Sequence, residues 1–143
     1  MTIQQITAVE ANSILRTDYN SVLVDVRTYE EFNLVGTVNP QDFNNRMILL
    51  PWQFYNDHQF NPDFYTTLRN KLNNFFNKED FTTKLFFICR SGARSNQAGS
   101  FISSYGYTNC YNVCDGFEGH IDQNHHRSKI NGWKAQNLPW KQT

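Results

Sequence analysis

Leu85-Phe86-Phe87-Ile88-Cys89-Arg90-Ser91-Gly92-Ala93-Arg94-Ser95 is the stretch that decides the architecture of this chain. Its opening residues form a short apolar run, as expected of a strand buried on both faces of a parallel sheet. Ser91-Gly92 breaks the run, and Ala98, Phe101, Ile102 and Tyr105 then recur at helical spacing until Gly106 ends the helix. A strand that passes through a short loop straight into a helix is the repeating unit of α/β proteins. In their parallel sheets, ligands collect beyond the carboxyl ends of the strands, where loops lead into helix N-termini. Cys89 stands at that place.

The same alternation extends outward in both directions. Upstream, Thr7 and Glu10 have capping-box spacing and predict a short helix through Ile14 and Leu15. Val22-Leu23-Val24-Asp25-Val26 reads as a second buried strand, and Thr28 and Glu31 repeat the capping box for a helix that Gly36 closes in the left-handed conformation. Asn61-Pro62-Asp63 places an N-cap, a proline at the first helical position and an acid near the positive end of the dipole, so a helix is expected to start there. Its Phe64, Leu68, Leu72, Phe75 and Phe76 make an apolar stripe suited to a sheet face. Downstream, Cys110 to Cys114 is long enough for one more strand before Asp115-Gly116 breaks it. The alternation predicts an α/β fold with a mostly parallel sheet covered by helices on both faces. No linker, repeat or low-complexity tract interrupts residues 1–143, which read as a single domain. Residues 42–61 fit no regular pattern and read as a surface loop with an aromatic anchor at Trp52.

Composition sets limits on function. At 143 residues, a chain removes roughly two-thirds of its unfolded surface from water on folding. The hydrophobic share is 39%, and twelve Phe and seven Tyr make the expected core rich in aromatic rings. Lys plus Arg and Asp plus Glu both number 13, so no overall field draws the protein to nucleic acid or to an anionic membrane. Any anion site must be local. No basic segment followed by an apolar run opens the chain and no window has the length of a membrane span, so a soluble, cytoplasmic protein is expected. The three cysteines are too few and too clustered for a disulfide framework, which favours thiol chemistry.

That chemistry centres on Cys89. The backbone N–H groups of the loop from Cys89 to Ser95 can turn inward and cradle negative charge. A free thiol titrates near about 8.5, and a helix N-terminus flanked by arginines favours the nucleophilic thiolate. Gly92 permits the tight turn, and Ser91 and Ser95 offer hydroxyl donors. Cys89 is therefore the candidate nucleophile. Arg90, Ser91, Gly92, Ala93 and Arg94 are the candidate substrate-binding loop, with Asp25, Arg27 and Ser95 supporting it. Two readings of Arg94 stand side by side: an anion contact, and a structural tie to a carboxylate such as Asp25. Asp25 and Arg27, at the end of the first buried strand, are read as structural, orienting the loop or pairing locally with Glu30 or Glu31. Cys110 and Cys114 lie four apart, on one face of a strand, without the further ligands a metal site needs. Ordinary packing is preferred for both, with a resolving thiol as the alternative for Cys114. His125-His126-Arg127 reads as a solvated turn. No metal or cofactor is assigned.

These residues resemble the rhodanese domains. Cys89 to Arg94 fits the family's six-residue active loop, and Val24-Asp25-Val26-Arg27 with Glu30-Glu31-Phe32 is similar to its early strand-and-helix signature. Gly36 and Pro40 fall near its usual turn. Asp115-Gly116-Phe117-Glu118-Gly119-His120 resembles its post-strand turn, and Gly132-Trp133-Lys134-Ala135 with Leu138-Pro139-Trp140 resembles the tail of many bacterial members. The resemblance implies a rhodanese-like three-layer domain with a five-stranded parallel sheet. It also implies transfer of sulfane sulfur from thiosulfate or a similar donor to Cys89, as a persulfide, and on to a thiol or sulfur-carrier protein. A basic residue after the nucleophile, here Arg90, accompanies thiosulfate use in that family. Two rivals share the fold: a non-catalytic rhodanese-type binding module, which commonly lacks the cysteine, and a cysteine-dependent phosphatase. The phosphatase loop is one residue longer, which would put its arginine where this chain has Ser95.

Overall fold

Short β-branched and apolar runs form the strands of this protein, and each capping signal starts a helix close to where the sequence places it. The computed structural model describes residues 3–142. In chain order the elements are β1 (Gln4–Ile6), α1 (Ala8–Thr17), β2 (Ser21–Asp25), α2 (Tyr29–Val35), β3 (Thr37–Val38), a single 3₁₀ turn (Pro40–Phe43), β4 (Met47–Leu49), α3 (Phe64–Phe76), β5 (Lys84–Ile88), α4 (Ala93–Ser103), β6 (Cys110–Val113) and β7 (Trp140–Lys141). Five strands form one sheet in the order β1-β6-β5-β2-β4. All four pairings within it are parallel. A two-stranded antiparallel ribbon, Val38 opposite Trp140, fastens the C-terminal segment beside α2.

The strands are buried on both faces, and their alternation divides the core. Val22, Val24, Leu85, Phe87 and Cys89 face one way, against Phe64, Leu68 and Leu72 of α3 and Ala98 and Ile102 of α4. Leu23, Phe86 and Ile88 face the other way, against Ala8, Ala11 and Leu15 of α1 and, beyond the last long strand, Phe117 and Trp133. Helices thus cover both faces, as expected. Both capping boxes form: the Thr7 hydroxyl accepts from the Glu10 N–H and Thr28 from the Glu31 N–H, with each glutamate reaching back to its threonine.

Four expectations need correction. Residues 42–61 are not simply a loop, because Met47–Leu49 is the edge strand β4, paired to β2. Trp52 does anchor the segment that follows, 9% exposed and ringed by Phe60, Phe64 and Phe101. Asn61-Pro62-Asp63 makes a turn, with the Asn61 carboxamide oxygen accepting from the Asp63 N–H, so α3 begins later, at Phe64. Phe75 lies off the buried face of that helix and is 41% exposed. Gly36 does end α2 with a positive φ of 86°, but its ψ of −175° is extended and not left-handed helical.

Candidate active site

β5 delivers Cys89 to the carboxyl edge of the sheet, next to the end of β2, where Asp25 is in register with Ile88. The chain then turns through Ser91 and Gly92 into α4. Gly92 has a φ of 110°, and a Cβ there would collide with the Cys114 carbonyl, so both conformation and space demand glycine. The turn brings two backbone donors and a hydroxyl to one atom. Cys89 Sγ lies 3.2 Å from the Gly92 N–H nitrogen, 3.3 Å from that of Ser95 and 3.2 Å from Ser95 Oγ. This is a cradle of the kind that holds negative charge at a helix start.

A polar network extends behind the sulfur. Ser95 Oγ donates to Asn112 Oδ1 at 2.5 Å. The Asn112 amide donates in turn to the Gln5 side-chain oxygen and to the Gly92 carbonyl. Ser95 and Asn112 are both buried. Asn112 is a site residue that the sequence reading missed, although a polar residue in the middle of an otherwise buried strand was a signal for it. The turn after β6 clamps the loop from the other side, since Phe117 N–H donates to the Cys89 carbonyl and Glu118 and Gly119 N–H donate to that of Arg90.

The charged residues sort into two pairs. Arg94 grips Glu31 through both nitrogens, at 2.6 and 2.9 Å. Its carboxylate partner is thus Glu31 and not Asp25. Burial opposes ionisation of Glu31, but the Arg94 guanidinium and the Thr28 backbone override it and hold the carboxyl at about 2. Asp25 is taken by Arg27, which bonds both its oxygens, with both side chains fully buried. Neither pairs with Glu30 or Glu31. Arg27 also donates to the Gly36 carbonyl and lies 4.3 Å over the Phe117 ring, so it meets the loop at one remove, through the residue that bonds the Cys89 carbonyl. Arg90 is exposed and takes part in no ion pair among the described residues.

Beside the loop lies a cavity of about 420 Å³, lined by Arg90 and Arg94 together with α2 and residues 53–58. Of the remaining cysteines, Cys114 has its carbonyl against Gly92 of the loop. Cys110 is buried in the core, where desolvation pushes its thiol up to about 12. The Cys114 thiol is also raised, by burial and by Asp115 beside it, which leaves it protonated and poorly nucleophilic at neutral pH. His125 and His126 are exposed in a turn organised by Asp122.

Fold and loop together define a class: parallel α/β proteins that hold a cysteine sulfur in a backbone cradle at a strand end. The model for the rhodanese-like domain matches residues 7–123, and the chain belongs to that family. It is 39% identical over 141 residues to an uncharacterized protein of Rickettsia rickettsii, with 99% of each chain covered. The crystal structure of Rv0390 from M. tuberculosis superimposes over 100% of both chains with a TM-score of 0.86 at 34% identity. The polysulfide-sulfur transferase of Wolinella succinogenes shares the fold at 17% identity, with a TM-score of 0.59 over 99% of this chain and 80% of the other.

Proposed function

We propose that this protein is a sulfurtransferase that carries a sulfane sulfur as a persulfide on Cys89. The observation that carries the proposal is the convergence of the Gly92 and Ser95 backbone N–H groups on one buried sulfur, with the Ser95 hydroxyl oxygen 3.2 Å away. Donors fixed in advance around an atom stabilise negative charge there without reorganising during reaction. That charge is on Sγ as a thiolate before transfer, and on the outer sulfur of the persulfide after it.

With thiosulfate or a similar donor, the Cys89 thiolate attacks the outer sulfur. The donor's S–S bond breaks, its electron pair leaves with sulfite, and the new S–S bond joins Cys89 to the transferred sulfur. A thiophilic acceptor, such as a small thiol or a sulfur-carrier protein, then attacks that outer sulfur and restores the thiolate, giving ping-pong kinetics. Arg90, exposed in the cavity lining beside the loop, is assigned to the anionic end of the donor, and Ser91, Gly92 and Ala93 to shaping the loop. Arg94 acts as a structural tie, because its guanidinium is committed to Glu31. That commitment also weighs against a phosphatase, whose arginine must be free to ring a phosphate.

The test is turnover of thiosulfate with cyanide as acceptor. Wild-type protein is expected to turn over, and Cys89→Ser to have no activity while keeping its fold. Substantial turnover by the serine variant would remove Cys89 from the reaction.

A further inference from the structure

Cys89 Sγ has two kinds of polar neighbour, and only one of them can turn away. The Gly92 and Ser95 N–H groups are held by the backbone, at 3.2 and 3.3 Å. The Ser95 hydroxyl, 3.2 Å from the sulfur, carries one proton and can rotate. Ser95 is fully buried, so the direction of that proton is decided between its two protein neighbours, Sγ and Asn112 Oδ1.

Backbone carbonyls decide which atom of Asn112 faces Ser95. The Gly92 carbonyl can only accept, so the Asn112 amide nitrogen, 3.1 Å away, is the atom turned toward it. The Ile3 carbonyl fixes Gln5 in the same way at 3.2 Å, which leaves the Gln5 oxygen to take the second Asn112 N–H at 2.7 Å. Both amide protons of Asn112 are then committed, and its Oδ1 faces Ser95 Oγ at 2.5 Å. An amide oxygen only accepts, so Ser95 donates to it and leaves a lone pair facing the sulfur. A lone pair suits a thiol, whose S–H can donate to it, and opposes a thiolate. Moving the proton to the sulfur instead leaves Asn112 Oδ1 without a donor at a residue 3% exposed, which is costly.

We propose that Asn112 is a positioning residue for Cys89, competing with the sulfur for the Ser95 proton and so setting how readily the sulfur holds charge. The proton placement stands on this geometry, and its consequence for transfer rests on the reading of Cys89 as the sulfur carrier. Before attack, Sγ is anionic and draws the proton to itself, against Asn112. Once the persulfide has formed, Sγ is bonded to two atoms and uncharged, the charge is on the outer sulfur, and the proton returns to Asn112. The contact therefore opposes the free thiolate and favours the loaded protein.

The experiment follows iodoacetamide alkylation of Cys89 against pH in Cys110→Ala/Cys114→Ala, so that one thiol is read. The charged groups around the loop are the same in every variant compared: Arg94 with Glu31 of α2, Asp25 of β2 with Arg27, Arg90 in the loop, and Asp115 and Glu118 in the turn after β6. Asn112→Leu keeps the size of the side chain and removes the acceptor. It is expected to lower the midpoint of the alkylation profile by about one pH unit, the size of one net hydrogen bond. Introduced into Ser95→Ala, the same change is expected to move the midpoint by about a third of that or less. A midpoint that stays or rises in Asn112→Leu, or that falls equally without the Ser95 hydroxyl, overturns the proposal, because Asn112 would then act only through the Gly92 carbonyl. NMR gives a second reading that needs no substitution at Asn112. Its side-chain amide resonances are expected to shift with the Cys89 midpoint, as Oδ1 loses its donor, and not to do so in Ser95→Ala. Resonances indifferent to that ionisation overturn the proposal even if Asn112→Leu does not fold. Sulfur loading from thiosulfate is scored separately by intact mass. If the proton behaves as described in a protein that takes up no sulfur, Asn112 keeps its role and the sulfur-carrier reading falls.

Discussion

The Ser95 hydroxyl has one proton and two acceptors within reach, Cys89 Sγ at 3.2 Å and Asn112 Oδ1 at 2.5 Å. While Cys89 is a thiol, its S–H can donate to Ser95, and Ser95 to Asn112. When the sulfur is anionic, the same hydroxyl can turn its proton to Sγ. Hydrogen bonds to charged groups contribute about 1.5–3 kcal/mol, and about 1.4 kcal/mol is a decade in rate. Ser95→Ala, which keeps the backbone donors, is therefore expected to slow single-turnover persulfide formation about tenfold. An unchanged rate would mean that the hydroxyl serves packing alone. Cys89, Gly92 and Ser95 were legible from the sequence because a small-residue turn between an apolar run and a helical period has few geometries. The partner of Arg94 was not, since Asp25, Glu30 and Glu31 all fall near the same strand end and a long guanidinium reaches any of them. Asn112 was hidden because its partners, Gln5 and Ser95, are distant in sequence.

Among the elements, residues 51–61 carry the greatest consequence for the site. Trp52 is 9% exposed, packs on Phe64 and Phe101, and accepts the Asn61 N–H at its carbonyl, so it joins the cavity-wall hairpin of residues 53–60, closed by the Gln53–Phe60 bridge, to α3 and α4. Truncating a buried aromatic residue costs about 3–5 kcal/mol. Trp52→Ala is expected to lower Tm by on the order of 10 °C and to raise hydrogen exchange across residues 53–60 before the rest of the chain. Exchange that rises only uniformly would show that Trp52 stabilises the core without holding the hairpin. The long central strands and capped helices could be read in advance, because several residues of one pattern agree. β1 and β4 could not, as three residues each leave no period to recognise and both are set by pairing with neighbours distant in sequence.

For the whole molecule, the Glu31–Arg94 pair links α2 to the active loop and makes stability depend on pH. The Glu31 carboxyl is lowered from 4.5 to about 2. Because the folded value is the lower one, the pair's contribution is fully present above about 4.5 and is lost as pH falls toward about 2. The shift corresponds to on the order of 3 kcal/mol at about 1.4 kcal/mol per unit, reduced by screening because the side chains remain 24% and 21% exposed. Urea unfolding from pH 7 to pH 2 is expected to show that loss, and Glu31→Gln to be less stable at pH 7 with a flatter acid limb. Identical acid limbs would remove the pair from the fold's stability. The account as a whole depends on one sulfur atom, and intact mass spectrometry tests it most directly. After incubation with thiosulfate, the wild-type protein and Cys110→Ala/Cys114→Ala should each gain one sulfur, localised to Cys89 and discharged by cyanide. Cys89→Ser should gain none. Sulfur found on Cys110 or Cys114, or a serine variant that loads as well as wild type, would contradict it.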